Sequence, residues 1–468
     1  MRHGDDKIRL IKDLRSMGVP IGGFSIKKPV VTLALIIANT LMYLVTSYEN
    51  FFIGISDYWV SLGGFVPSLI ETPSQWYRIL TSMFLHADLF HIFFNMYFLY
   101  LFGRAVEKAL GKLRFLILYL ISGIIASIFH TAFSFIGGPT AYAIPAIGAS
   151  GAISGVLGAY LIFYPGTYLL AGFGFPFPIF FRVKASYYLI FWFATQVFYG
   201  FTKMGGSTAV FAHAGGFIAG IALLPILVDK EMVAQFRIFR LFSLIPYLTP
   251  THLKTRGLGY FSKAILITLL ILLAGGAIYA LSIPSNYENI RLVVIQYNCN
   301  GFPYVDYVGI QLPDLEPQIA SISLDNTRIL FNRLNAAGLL YNEENSNEEV
   351  FLENWNSRLP VKVKIGSEVR VFNVTTTIHS FIGNYDSKGF LIYGEGSLTT
   401  KAVSILLYGQ RYLLAEGDPL EYVFKMASVT VNLINLTKYT GALSLLIIFG
   451  AMLTAVIKDK DLTLIEEV

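Results

Sequence analysis

Eight long runs of apolar residues, nearly free of charge, restrict this chain more than any other feature. They fall at about 30–47, 90–102, 115–135, 148–164, 187–201, 210–228, 264–281 and 439–456. About 20 apolar residues in a helix cross a bilayer core. There every backbone polar group must be satisfied within the segment, which favours helices. The second and fifth runs are short, so they draw in neighbouring residues or sit where the bilayer is thinned. The composition agrees: 54% hydrophobic against 14% charged is too apolar for a soluble protein of this length. The expected class is an all-α polytopic membrane bundle. A single cysteine, Cys299, excludes a disulfide framework and a cysteine-based metal site. The first 28 residues are polar and carry both signs of charge, which is not the pattern of a cleavable signal peptide.

Orientation follows from lysine and arginine near the ends of the runs. Arg2, Lys7, Arg9, Lys12, Arg15, Lys27 and Lys28 precede the first run, and Arg104, Lys108, Lys112 and Arg114 lie between the second and third. Arg182 and Lys184 separate the fourth and fifth. Lys230, Arg237, Arg240, Lys254, Arg256 and Lys263 separate the sixth and seventh. The alternate connections among the first six runs hold only Arg78 and Lys203. The N-terminus is therefore expected inside, and runs two, four and six start at the outer face.

The segment 284–438 differs in kind. Stretches such as Val361-Lys362-Val363-Lys364-Ile365 and Val369-Arg370-Val371-Phe372 alternate with period two and read as strands. Tyr385-Asp386-Ser387-Lys388-Gly389 is a turn signal, and Asn342 to Glu349 is an acidic loop. Asn373-Val374-Thr375 and Asn435-Leu436-Thr437 have the form of glycosylation acceptors. The chain thus divides into a cytoplasmic segment 1–28, a six-span core 29–230 and a cytoplasmic linker 231–263. A seventh helix 264–283, an extracytoplasmic β-rich insertion 284–438, an eighth helix 439–457 and a cytoplasmic tail 458–468 follow.

Polar residues inside spans are costly and are candidates for function. The second run opens on His86, His91 and Asn95, with His91 and Asn95 four apart on one helix face. The fourth opens on Gly148-Ala149-Ser150-Gly151, and Gly151 and Gly155 have the spacing that lets helices meet backbone to backbone. The sixth opens on Ala212-His213-Ala214-Gly215-Gly216, with Gly216 and Gly220 repeating that spacing. Taken singly, Ser150 reads as a packing residue and each histidine as a partner of a backbone carbonyl. Their common depth, just below the outer face, changes that reading. Serine becomes a nucleophile when a base lies within about 2.6–3.2 Å. His213 suits that task. His91, Asn95 and the Ser150 N–H can donate to a developing oxyanion.

This set of motifs resembles the rhomboid family of intramembrane serine proteases. Trp76-Tyr77-Arg78 and the pair Glu107 and Gly111 are similar to further family signatures, and the likeness covers residues 25–230. The resemblance implies a Ser150–His213 dyad, an oxyanion hole with His91 and Asn95, a cavity open to the outer side, and a lateral gate near spans two and five. His86, Gly148, Gly151, Gly216 and Gly220 are the structural residues around it. It implies a serine endopeptidase of the plasma membrane that cuts transmembrane protein substrates within the bilayer, with both termini cytoplasmic and the site facing out. No cofactor, metal or nucleic acid is expected. Many members carry an aromatic residue four positions after the serine; here it is Ser154, which is also the rival nucleophile. The seventh and eighth helices and the β-rich domain, whose partner is unknown, lie outside the resemblance.

His130 reads as a packing residue, while His3, His252 and His379 lie outside the spans. The proline-broken stretch 173–181 reads as an interfacial segment on the inner side. Arg78 is either a headgroup anchor or a residue that orders its loop. An inactive family member that binds membrane clients is the alternative function. A channel or transporter lacks an intramembrane charge array to support it.

Overall fold

The computed structural model describes residues 28–173, 179–204, 209–228, 257–283, 290–311, 318–321, 325–365, 368–408 and 411–464, with 231 and 233. The N-terminal segment 1–27, most of the linker 231–263 and residues 465–468 lie outside this set, as do His3, His252 and the centre of 173–181.

Each apolar run is a helix. These are α1 (Val30–Ser47), α2 (Leu89–Leu110), α3 (Lys112–Phe133), α4 (Ser150–Phe163), α5 (Ala185–Thr202), α6 (Val210–Leu227), α7 (Tyr260–Ser282) and, after the sheet domain with its own helix α8 (Asp325–Ala336), α9 (Leu433–Leu453). Among the described residues, six helices are long and apolar enough to cross a membrane; α4 is apolar but shorter, and α5 is less apolar. The chain is an integral multi-pass membrane protein.

Two helices outrun their apolar windows. α2 continues through a π-helical turn, Leu99–Gly103, into Arg104–Leu110. The charge of Glu107 does not end it, because that side chain is buried as a cap for α1. It accepts the N–H groups of Val31 and Thr32 at 3.0 and 2.8 Å and the Thr32 hydroxyl at 2.7 Å. A carboxylate is favourable at a helix N-terminus, where backbone N–H groups lack intrahelical acceptors. α5 begins at Ala185, directly after a two-stranded hairpin, β1 (Tyr168–Phe173) and β2 (Ile179–Lys184). The sequence reading has no strands here.

α4 lies between α3 and α6 with its backbone against α6. A Cβ at Gly216 would run into the Gly151 carbonyl, and one at Gly220 into the Gly155 carbonyl. The two contacts are in register, so the helices run parallel at van der Waals distance. Lipid offers little hydrophobic drive between helices, and such close packing is what holds them. α7 and α9 are added against α3, α5 and α6. Beyond α9 the chain returns to the far end of α4: the Leu464 N–H donates to the Phe163 carbonyl at 2.7 Å and Thr463 Oγ1 to the Ile162 carbonyl at 3.0 Å. Asp459 is buried there, paired with Lys263 at 2.9 Å.

Residues between α7 and α9 form a seven-stranded antiparallel sheet. Its strands are β3 (Ile290–Cys299), β4 (Phe302–Gln311), β5 (Gln318–Ser321), β6 (Glu349–Ile365), β7 (Glu368–Tyr385), β8 (Leu391–Tyr408) and β9 (Arg411–Val431), in the order β5-β4-β3-β9-β8-β7-β6. α8 lays Leu330, Phe331 and Leu334 on one face, against Ile295, Ile378, Leu398 and Phe424. The turn at Asp386 forms because its Oδ1 accepts the N–H groups of Lys388 and Phe390, each at 2.9 Å. β4 rests on the bundle through a cluster of Tyr307, Leu292, Val66, Leu69 and Tyr142. Of the two glycosylation-type triplets, Thr375 is bonded to Glu416 and Thr437 is buried against Tyr142.

Candidate active site

Asp88 caps α2, its Oδ1 accepting the His91 N–H at 2.8 Å, which sets His91 in the first turn. Nδ1 of His91 accepts the Ala87 N–H at 3.2 Å. The ring proton therefore sits on Nε2. That atom lies 2.8 Å from where a Gly148 side chain would begin, and Gly148 has φ +125°, a conformation few other residues adopt. Glycine here both turns the chain into α4 and leaves room for the imidazole. Asn95, nearly buried one turn on, donates from Nδ2 to the His91 carbonyl at 2.8 Å. His86 is fully buried, its ring 5.1 Å from that of His91, and its Nε2 faces the Ala149 N–H at 3.5 Å.

Ser150 is the first residue of α4, so its N–H has no acceptor within the helix. Its Oγ lies 2.8 Å from His213 Nε2. Two sequence-distant helices therefore bring a hydroxyl and an imidazole into hydrogen-bond contact, at the depth fixed by the Gly151–Gly216 and Gly155–Gly220 contacts. Ser154 stands apart: its Oγ donates to the Ser150 carbonyl at 2.6 Å, and the residue is 1% exposed.

The histidine has a second partner that the sequence reading does not single out. His213 Nδ1 lies 2.9 Å from Oε1 of Gln196 on α5. Trp192, one turn earlier, holds its ring 6.1 Å from the imidazole. Gln196 carries the one carboxamide in an otherwise apolar span. The rule that polar groups inside spans mark function could have found it.

A cavity of about 40 Å³ lies behind Ser150, lined by Ser82, Ser127, His130 and Gly148 among others. That is room for water. His130, read from sequence as packing, faces this space and the Phe65 ring at 6.5 Å. Arg78 is 2% exposed and orders its loop. Nη1 donates to the carbonyls of Ser61 and Gly64 at 2.8 and 3.0 Å, Nε to Gln75 Oε1 at 2.7 Å, and Nη2 to the Tyr307 hydroxyl of β4. The headgroup-anchor reading does not fit a buried guanidinium. His379 lies on β7, bonded to Thr399 Oγ1 at 2.8 Å, away from the site. Among the described residues no cluster of histidine, cysteine and carboxylate side chains could hold a metal ion.

The fold and site define a class: a helical membrane protein with a serine and a histidine hydrogen-bonded inside its bundle. Residues 73–230 match the family model described as the Rhomboid domain. Residues 73–230 thus carry a rhomboid domain. Rhomboid protease GluP of Bacillus subtilis strain 168 is 42% identical over 102 residues, 22% of this chain and 18% of that protein. Rhomboid-like protease 1 of Toxoplasma gondii is 29% identical over 212 residues, 45% of this chain and 66% of that protein. Inactive RHOMBOID-like protein 8 of Arabidopsis thaliana is 38% identical over 94 residues, 20% of this chain and 24% of that protein. The aligned part is thus less than two thirds of each of these relatives.

Proposed function

We propose that this chain is an intramembrane serine endopeptidase that hydrolyses peptide bonds in or beside the spans of membrane proteins. The observation that carries the reading is the 2.8 Å contact between Ser150 Oγ and His213 Nε2. In this reading Ser150 attacks the scissile carbonyl and His213 takes its proton. The oxyanion is met by the Ser150 N–H and by Nε2–H of His91, with Asn95 beside them. One such donor is worth on the order of 3 kcal/mol. His213 then protonates the leaving amine and activates the water that hydrolyses the acyl-enzyme. Substrate helices must unwind to present a carbonyl, so cuts fall near small or helix-breaking residues.

The lysine and arginine distribution supports cytoplasmic termini and a site opening outward, with the sheet domain 284–438 outside and the core at 29–230. The plasma membrane is the proposed location. The inactive alternative is disfavoured because both site residues are present and in contact.

The test is cleavage of a panel of single-span substrates by the purified chain. Cuts near the outer ends of the spans that vanish in Ser150→Ala are expected. A panel left intact by wild-type protein in bilayers, or cut equally by Ser150→Ala, contradicts the proposal.

A further inference from the structure

The geometry points to Gln196 as a positioning residue: it fixes the tautomer and orientation of His213 from α5, a helix that carries neither member of the pair. This deepens the proposed reading of Ser150 and His213 and rests on it.

The direction of each hydrogen bond decides the point. The Gln196 amide donates from Nε2 to the Trp192 carbonyl at 3.3 Å and shares a 3.1 Å contact with Thr195 Oγ1. The Trp192 carbonyl can only accept, so the NH2 end of the amide faces it and the carbonyl end, Oε1, faces His213. Oε1 can only accept as well. Nδ1 of His213 must therefore carry the ring proton, and Nε2 presents its lone pair to the Ser150 hydroxyl. With the opposite tautomer, Nε2 would hold a proton and could not take the one on Ser150.

Gln196 is itself held in place. It is 8% exposed. One turn before it, Phe193 stacks on Phe217 of α6 with ring centroids 4.6 Å apart. One turn after it, Gly200 lets the Phe211 ring of α6 press onto the α5 backbone, with no room for a Cβ. Phe211 and Phe217 flank His213 in sequence. The two contacts therefore bracket the Gln196–His213 pair and fix its spacing. Ser154, on α4, brings no ring to the imidazole; Trp192 and Gln196, on α5, contact it instead.

The experiment uses the full chain in bilayers. It compares wild type with Gln196→Met, which keeps volume but removes the acceptor, and with Gln196→Glu, which keeps an acceptor and adds charge. In Gln196→Met, kcat is expected to fall about tenfold with KM little changed. In Gln196→Glu, most of the kcat is retained, and the acidic limb of the pH profile moves to higher pH by about one to three units, because a carboxylate stabilises the imidazolium. Nitrogen-15 NMR of labelled histidine is the second readout, and it needs no substrate. His213 as the Nδ1–H tautomer in wild type, lost in Gln196→Met, is the expected result. An unchanged tautomer signal and a kcat within twofold of wild type in Gln196→Met would overturn the inference. Wild-type protein that cleaves nothing yet shows the Gln196-dependent tautomer counts against the protease reading and for the positioning role.

Discussion

α4 and α6 meet where side chains are missing, whereas the sheet domain is joined by side chains that reach. In the bundle, the carbonyls of Gly151 and Gly155 lie against Gly216 and Gly220, and the Ser150–His213 contact sits one turn away. In the sheet domain, α8 presses leucine and phenylalanine onto one sheet face, and ionic contacts lock the strands. Arg291 of β3 binds Asp386 in the β7–β8 turn, and Lys401 of β8 binds Glu416 of β9 at 2.7 Å. The α4–α6 contact therefore has almost no tolerance for an added atom at its glycines. The sheet domain adds ion pairs to its side-chain packing. The two also touch, since the buried Arg78 of the bundle donates to Tyr307 of β4.

The comparison predicts its own breaking points. Gly216→Ala places a methyl on a backbone carbonyl that cannot rotate away. A loss of about 3 kcal/mol or more is expected, read as thermal unfolding in detergent. Gly275→Ala, on α7, meets nothing within 4 Å and is expected to be neutral in the same assay. Equal effects at the two positions would remove the argument from close packing.

Arg291→Met is next in size. It strips a charge-assisted bond from Asp386 and one each from Ser428 Oγ and the Leu391 carbonyl. Each such bond is worth about 1.5–3 kcal/mol when one partner is charged. The variant should unfold the sheet domain at lower temperature, seen in the strand band of the infrared spectrum, while the helical band holds. Loss of both bands together would mean that the two regions are one cooperative unit.

The smallest effect is that of acid. Partial burial pushes the Asp386 carboxyl up, but the N–H groups of Phe390 and Lys388 and the Arg291 guanidinium outweigh it and hold it below the usual range. Lys401, then Thr375, hold Glu416 down at about 2. Groups with depressed folded values contribute stability above their unfolded pKa and lose it as pH falls through the folded one. The strand band should thus weaken between about pH 4 and pH 2. A strand signal indifferent to pH in that window would show that these carboxylates matter little.

Much of this architecture is legible in the sequence, for physical reasons that differ by region. Membrane helices announce themselves because lipid forbids unpaired backbone, so the runs mark the helices even where their ends are off. Glu107 shows why the ends fail: a charge inside a helix reads as a terminus when its partner, the start of α1, is 75 residues away. Ser150, His213, His91 and Asn95 stand out because helix starts and glycine spacing put them at one depth. Gln196 does not, because its meaning depends on which face of α5 meets α6. Tyr307 is hidden for the same kind of reason, as it lies 229 positions from Arg78. The hairpin β1–β2 is missed because its apolar residues carry no alternation to separate strand from interfacial coil.

The most direct measurement is mass spectrometry of the protein after reaction with a fluorophosphonate, which modifies an activated serine. The account predicts an adduct on Ser150 that persists in Ser154→Ala, is abolished in Ser150→Ala and falls sharply in His213→Ala. An adduct on Ser154, or labelling of Ser150 that ignores His213, would contradict it.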